Sequence, residues 1–470
     1  MRRLFLPLLT GFALLVWTGA IPVSARSELF GTRVQALWAS LYDDPASGYD
    51  GAWAIEASPD GAKVYVTGES GSGLGLRDYA TIAYDSSTGA QLWAARYDGP
   101  DHLSDSALAM KLSPDGSSLF VTGDSDGAST ATDYATVAYN PATGGQLWAS
   151  RYDGPAHGPD AAYAIGVSPD ASRVYVTGSS SAGPSDDYAT ISYDAKTGAQ
   201  LWVKRFDGPG KGDDSAFALG VGPEGSRLYV GGASAPTQSG NYDYVTVAYD
   251  AISGSQLWVA RYGGPDHDVD LLTALKVGPD GSSIYVTGYS TSRITNRDFA
   301  TVAYDAATGI ERWTARWDGP ASGEDDPTSL AVSPDGSKVY VAGHDWSGLA
   351  RDDLATVAYD AKDGMETWAR QYDGPSQGDD HAEAVGVSPD GSRVYVTGFS
   401  DGTSLADYMT IAYDSLTAHT VWMARAGGKS YDYGSALAVS PTGGRVFVTG
   451  KYFVAPRTHR YNYGTLAYPG

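Results

Sequence analysis

Three sets of residues in this chain have the types and spacing to do chemistry. The first is histidine. His102, His157 and His267 each lie nine residues after a recurring Trp, where other copies of the pattern have Ser47, Lys211, Ser322, Gln377 and Tyr431. His344, His381 and His459 fall in other loops of the same side. Imidazoles from neighbouring units can hold a metal ion. The first three do not all come from adjacent units, which favours exposed loop histidines.

The second set is aspartate. Twelve residues after the same Trp stand Asp50, Asp105, Asp160, Asp214, Asp270, Asp325 and Asp380, with Gly434 in the eighth copy and Asp432 nearby. A ring of carboxylates around an axis would bind a cation. The alternative is that each carboxylate accepts backbone N–H bonds in its own turn. One copy per unit favours the turn role, because function usually breaks symmetry. The run Asp266-His267-Asp268-Val269-Asp270 resembles a calcium loop, but Leu271 replaces the required Gly and Val277 the required acid.

The third set is cationic and aromatic: His267, Arg293, Arg297, His344, Trp346 and Arg351. On an otherwise acidic chain such a cluster suits an acidic sugar or a carboxylate ligand, through ion pairing and stacking. The alternative is local pairing with acids such as Asp298, Asp352 and Asp353.

Much chemistry is excluded. There is no HExxH and no P-loop. The absence of Cys removes disulfides, thiol nucleophiles and thiolate metal sites. A net charge of −23 opposes nucleic acid and anionic membranes as partners. Hydrophobic residues make up 42% of the chain, enough for a packed core.

The elements that must position these residues come from one repeat. Its Trp falls at Trp38, Trp93, Trp148, Trp202, Trp258, Trp313, Trp368 and Trp422, 54 to 56 residues apart. Each unit holds four strand candidates, in the first copy Ala52–Ser58, Lys63–Gly68, Tyr79–Asp85 and Gln91–Tyr97. The first pair is joined by Pro-Asp-Gly and the second pair by a Gly-closed turn. The third strand is apolar on both faces, so the sheet is covered on both sides. Four-stranded antiparallel sheets buried on both faces and repeated around an axis are the blades of a β-propeller. The fold expected is all-β, an eight-bladed propeller. The segment around Trp38 is a lone fourth strand, and the last copy stops after its third, so the N-terminal strand should complete the last blade and remove a sheet edge.

Residues 1–25 read as a secretory signal peptide: Arg2 and Arg3, an apolar stretch from Leu4 to Val23, and the small-residue site Val23-Ser24-Ala25. Residues 26–470 should then form one propeller domain in a secreted or periplasmic, monomeric protein with no membrane span.

The window Ala83–Trp93, AYDSSTGAQLW, resembles the tryptophan-docking motif of quinoprotein dehydrogenases, and the SPDG/YVTG strings resemble surface-layer and lactonase-like propeller repeats. The resemblance covers nearly all of the chain after residue 33. It implies eight blades with Trp bridging neighbours, and by extension pyrroloquinoline quinone or Ca²⁺ as cofactor. The adjacent Cys pair of the quinoprotein enzymes is absent, and none of their quinone or calcium ligands maps onto this chain. The loops between the second and third strands vary while the opposite turns are uniform, which marks the variable rim as the binding face. The reading is a binding or scaffolding module for a carbohydrate, a peptide or a surface protein. The alternative is a quinoprotein-like oxidoreductase or lactonase/lyase-type enzyme at the channel mouth.

Overall fold

In a computed structural model the described residues run from 32 to 470, apart from 44–47, 72–75, 236–240, 349–350, 403–404, 428–430 and 456–459. The leader and His459 lie outside them. The described chain forms eight sheets. Blade 1 consists of an inner strand Asp50–Ala57, a second strand Lys63–Gly71, a third strand Arg77–Asp85 and an outer strand Gln91–Tyr97. Blades 2 to 7 repeat this order, and the inner strands of successive blades adjoin in a closed ring around the axis. The second and third strands run two or three residues further toward the variable rim than the apolar pattern indicates. The ladder continues through polar residues, to Gly71 opposite Arg77 in blade 1. Trp346 accordingly ends a strand, Lys338–Trp346.

Closure is as expected. Trp38–Tyr42 pairs antiparallel with Arg460–Pro469 and completes blade 8. One feature was not foreseen: Thr32–Arg33 pairs parallel with the outer strand of blade 7, Thr420–Ala426. The N-terminal segment thus straddles the joint between blades 7 and 8.

Blades are tied by the recurring Trp. Trp93 Nε1 donates to Pro141 O of the next blade at 3.1 Å, and Trp148 Nε1 to Ala195 O at 3.0 Å. Trp38, Trp202, Trp258, Trp313 and Trp368 make the same bond to the blade that follows. Trp422 packs between Tyr395 and Tyr468, tilted against each ring. Six of the eight indoles, from Trp38 to Trp313, lie on a turn glycine; at Gly144, with φ +74°, an added Cβ would sit 2.7 Å from the Trp93 ring. A second tie is a buried tyrosine hydroxyl. Tyr79, Tyr134, Tyr188, Tyr244 and Tyr408 each donate to a carbonyl of the next blade, and Tyr463 closes the ring onto Ala80 O at 3.2 Å. Blades 5 and 6 have Phe299 and Leu354 at this place, which carry no hydroxyl.

Candidate functional site

Every inner strand carries a β-bulge at the same point, in blade 1 between Ala52 and Ala54. A bulge leaves one residue out of the ladder and re-aims its side chain. The residues so displaced are Trp53, Leu108, Tyr163, Phe217, Thr273, Thr328, Glu383 and Ser435. Opposite each bulge is the Gly of the YVTG string. At Gly68 a Cβ would lie 2.0 Å from Gly51 O, so no side chain fits. The wall is apolar in blades 1 to 4 and polar in blades 5 to 8. Tyr163 and Phe217 pack at 5.7 Å. Thr273 and Thr328 bond to carbonyls of the next inner strand, at Pro327 and Ala382.

Where the two halves meet, a cavity of about 470 Å³ is lined by Tyr49, Trp53, Tyr433, Tyr461, Lys451 and Glu383. Lys451 Nζ lies 4.0 Å from the Trp53 ring centre and 5.3 Å from that of Tyr49. Burial lowers the Lys451 pKa and raises that of Glu383. Grooves on the opposite rim, such as that beside Pro59 and Pro141, are built from the invariant turns and recur between other blades.

Around the variable rim each inter-blade cleft holds the same three positions: one near the end of the second strand, one at the start of the third, and one at the start of the next inner strand. Between blades 1 and 2 these are Glu69, Arg77 and Ser106, joined at Glu69 Oε2. Between blades 5 and 6 they are Tyr289, Arg297 and Asp326. Arg297 stacks on Tyr289 and reaches Asp326 Oδ2 at 3.2 Å. Between blades 6 and 7 they are His344, Asp352 and His381. The two imidazoles stack with centres 3.9 Å apart, and His381 Nε2 lies 3.2 Å from Asp352 Oδ2. His344 Nε2 is 3.8 Å from Asp326 Oδ2, and its Nδ1 is buried without a hydrogen-bond partner among the described residues. Burial, then the neighbouring His381, takes the His344 pKa down to about 4, while the hydrogen bond from His381 lowers that of Asp352. The belt continues through Phe399, stacked on His381 at 4.6 Å, to Tyr433 at the cavity.

The sequence-predicted residues divide. His102 and His157 are exposed, sit at φ near +54° and pair with Asp98 and Asp153 of their own turns. His267 shares that left-handed turn position. These three are therefore turn residues in separate blades and do not converge. The aspartates brace turns. Asp105, Asp160, Asp214, Asp270, Asp325 and Asp380 each accept the N–H of the Gly six residues earlier, at 2.6–2.7 Å. Asp432, two residues before Gly434, fills the eighth place and accepts Phe453 N–H as Asp325 accepts Trp346 N–H. Carboxylate trios do recur around these turns. A guanidinium already lies against Asp78, Asp133, Asp187 and Asp298, from Arg96, Arg151, Arg205 and Arg316. Of the cationic cluster, Arg297 and His344 meet through Asp326. Trp346 packs on Gly323, and Arg293 and Arg351 are exposed. Asp298 pairs with Arg316 and Asp352 with His381, so neither serves Arg293 or Arg351. Sequence reasoning missed that Asp352 and His381 belong with His344. The signal was there: all three occupy columns that vary from repeat to repeat.

A tricarboxylate quinone needs several cations, and its calcium needs uncommitted carboxylates. The mouth offers one lysine, Lys451, and one carboxylate, Glu383, with Arg77 already on Glu69, so these residues do not fit pyrroloquinoline quinone. Among the described residues no helix is long and apolar enough to cross a membrane.

The class of protein is thus an eight-bladed propeller with uniform Trp-docked blades and one variable rim. Residues 133–301 and 297–459 match the family described as outer membrane protein assembly factor BamB, and the chain belongs to that PQQ-like repeat family. No curated protein matches the sequence. Solved structures share the fold. Chaetomium thermophilum Sqt1 is 13% identical over 93% of this chain and 98% of its own, with TM-score 0.60. The same protein bound to the N-terminus of the ribosomal protein L10 is 14% identical over 92% and 98%, with TM-score 0.59. The Dos1 propeller is 12% identical over 92% and 95%, with TM-score 0.58.

Proposed function

We propose that this is an exported binding module that takes a peptide segment of a partner protein at the channel mouth on its variable rim. The observation that carries the reading is the cavity between blades 7, 8 and 1, with four aromatic rings, one lysine and one carboxylate. Aromatic walls favour an apolar side chain at low entropic cost, and Lys451 supplies a charge for a carboxylate of the same segment. The propeller wall is rigid, so little ordering is needed on the protein side. Two further facts support it: a propeller of the same fold holds the N-terminus of another protein, and the family is described by an outer-membrane assembly factor. Export rests on residues 1–25, with cleavage leaving the propeller as a single domain outside the cytoplasm.

The test is a peptide array and a glycan array probed in parallel with the parent and a Trp53→Ala/Lys451→Ala variant. Peptides retained by the parent and lost by the variant support the reading. Binding confined to glycans, or peptide binding indifferent to the variant, overturns it.

A further inference from the structure

We propose that His344, His381 and Asp352 form a divalent transition-metal site that bridges blades 6 and 7, with Zn²⁺ as its natural class of occupant. The three side chains present one ligand atom each, and these atoms all lie within 4.8 Å of one another. The 3.2 Å between His381 Nε2 and Asp352 Oδ2 is close to the roughly 3.3 Å expected for two ligands about 2.0–2.1 Å from one tetrahedral ion. The donors sit on three strands, Lys338–Trp346, Asp352–Asp360 and Asp380–Val387, so the scaffold fixes them more firmly than loops would.

Two imidazoles and one carboxylate select borderline ions such as Zn²⁺ or Co²⁺ over Mg²⁺ and Ca²⁺, which prefer all-oxygen shells. Side-chain exposures of 17%, 21% and 30% leave one side open. Three protein ligands with an open fourth position are the pattern of sites that bind water or an incoming group. Asp326, held by Arg297, stands beside His344 as an outer partner that orients the ring. The placement has a structural logic as well. This joint carries Leu354 where six others have the tyrosine hydroxyl tie, and an ion shared between the blades replaces that link. The other rim clefts described above carry no pair of histidines at these positions.

The site is tested without any peptide, so its failure and that of the binding reading are separable. Chelator-treated full chain is titrated with Co²⁺ followed by visible absorption, and with Zn²⁺ by calorimetry and thermal melting. One equivalent should bind, with the intense bands of four- or five-coordinate Co²⁺, and Zn²⁺ should raise the melting temperature where Mg²⁺ and Ca²⁺ do not. His381→Ala should weaken Co²⁺ binding at least roughly a hundredfold, beyond the 10–100-fold effect of losing an outer partner. Asp352→Asn, which keeps the side-chain shape, should weaken it too and serves if His381→Ala does not fold. His102→Ala/His157→Ala should bind as the parent does. Absence of stoichiometric binding, equal affinity in Asp352→Asn, or loss in the His102/His157 variant would overturn the site.

Discussion

Removing the Trp38 side chain tests how the ring is held shut. Trp38 is 9% exposed. It lies 5.9 Å from Phe447 within its own blade and 6.4 Å from Tyr84 of blade 1. Its Nε1 donates to Ser86 O at 2.9 Å, and Gly89 lies against its face. Trp38→Ala should cost about 3–5 kcal/mol as a large buried aromatic, including about 1 kcal/mol for the lost hydrogen bond. Trp148→Ala removes an equivalent indole from an interior joint, so the global cost should be similar. The variants should differ in local opening. Only five residues, Trp38 to Tyr42, are registered against Arg460–Pro469, and without Trp38 the main aromatic anchor left is Tyr42 on Tyr463. Native-state proteolysis should therefore cut the N-terminal segment of Trp38→Ala roughly a hundredfold faster than the parent, since each 1.4 kcal/mol is tenfold in an opening equilibrium. In Trp148→Ala that segment should stay protected below the global transition. Urea unfolding gives the global cost and mass spectrometry of early fragments locates the cut. A cost below about 1 kcal/mol for Trp38→Ala, or equal early cutting in both variants, would refute the latch.

Three further outcomes follow from the same packing. Gly144→Ala should destabilise by about 1–3 kcal/mol more than Gly183→Ala, because both have positive φ but only Gly144 meets an indole; denaturant midpoints decide. Tyr463→Phe should cost about 1 kcal/mol by loss of its bond to Ala80 O, measured by the same midpoints. Burial pushes the Asp105 and Asp214 carboxyls up to about 6. The folded state then keeps their protons at a pH where the unfolded chain, near 4, has lost them. Stability should fall as pH rises from about 4 through about 6, so the melting temperature at pH 5 should exceed that at pH 8. Turn aspartates such as Asp85, held down to about 2 by Ser87 and Thr88, act oppositely and cost stability as pH falls from about 4 toward 2. A profile flat between pH 5 and 8 would contradict the burial of these carboxyls.

The fold was legible because its determinants are local and repeated eight times. A Trp every 54 to 56 residues, a Gly-closed turn and a doubly apolar third strand each point to the same sheet, and the incomplete ends point to closure. The bulge was less legible. Nothing about Trp53 or Glu383 alone marks it as unpaired. What marks it is Gly68 and its counterparts, whose missing Cβ is required by the close approach of the inner strand. The aspartates were legible as a periodic feature, and their turn role followed from symmetry. Asp432 was obscured because the last unit shifts the spacing by two residues.

The site was harder to read for a reason built into propellers. Chemistry at the rim is assembled across a joint, from two strands of one blade and one of the next. His344 and His381 are 37 positions apart, and Asp352 sits in a stretch whose neighbour Asp353 is a repeat residue. Grouping by exposed charge put His344 with Arg293 and Arg351, which are exposed on the same rim. Grouping by repeat column puts it with Asp352 and His381, which the ladder brings within 4.8 Å. The eight clefts share one backbone, so their side chains are free to differ without disturbing the Trp and Tyr ties. That freedom is why one cleft can hold an ion pair, another a stacked arginine, and its neighbour two histidines and an aspartate. In a fold of this kind, a binding site is expected where the variable columns of adjacent blades depart together from the repeat. Blades 6 to 8 do so, at the joint beside Leu354 and again at the aromatic cavity.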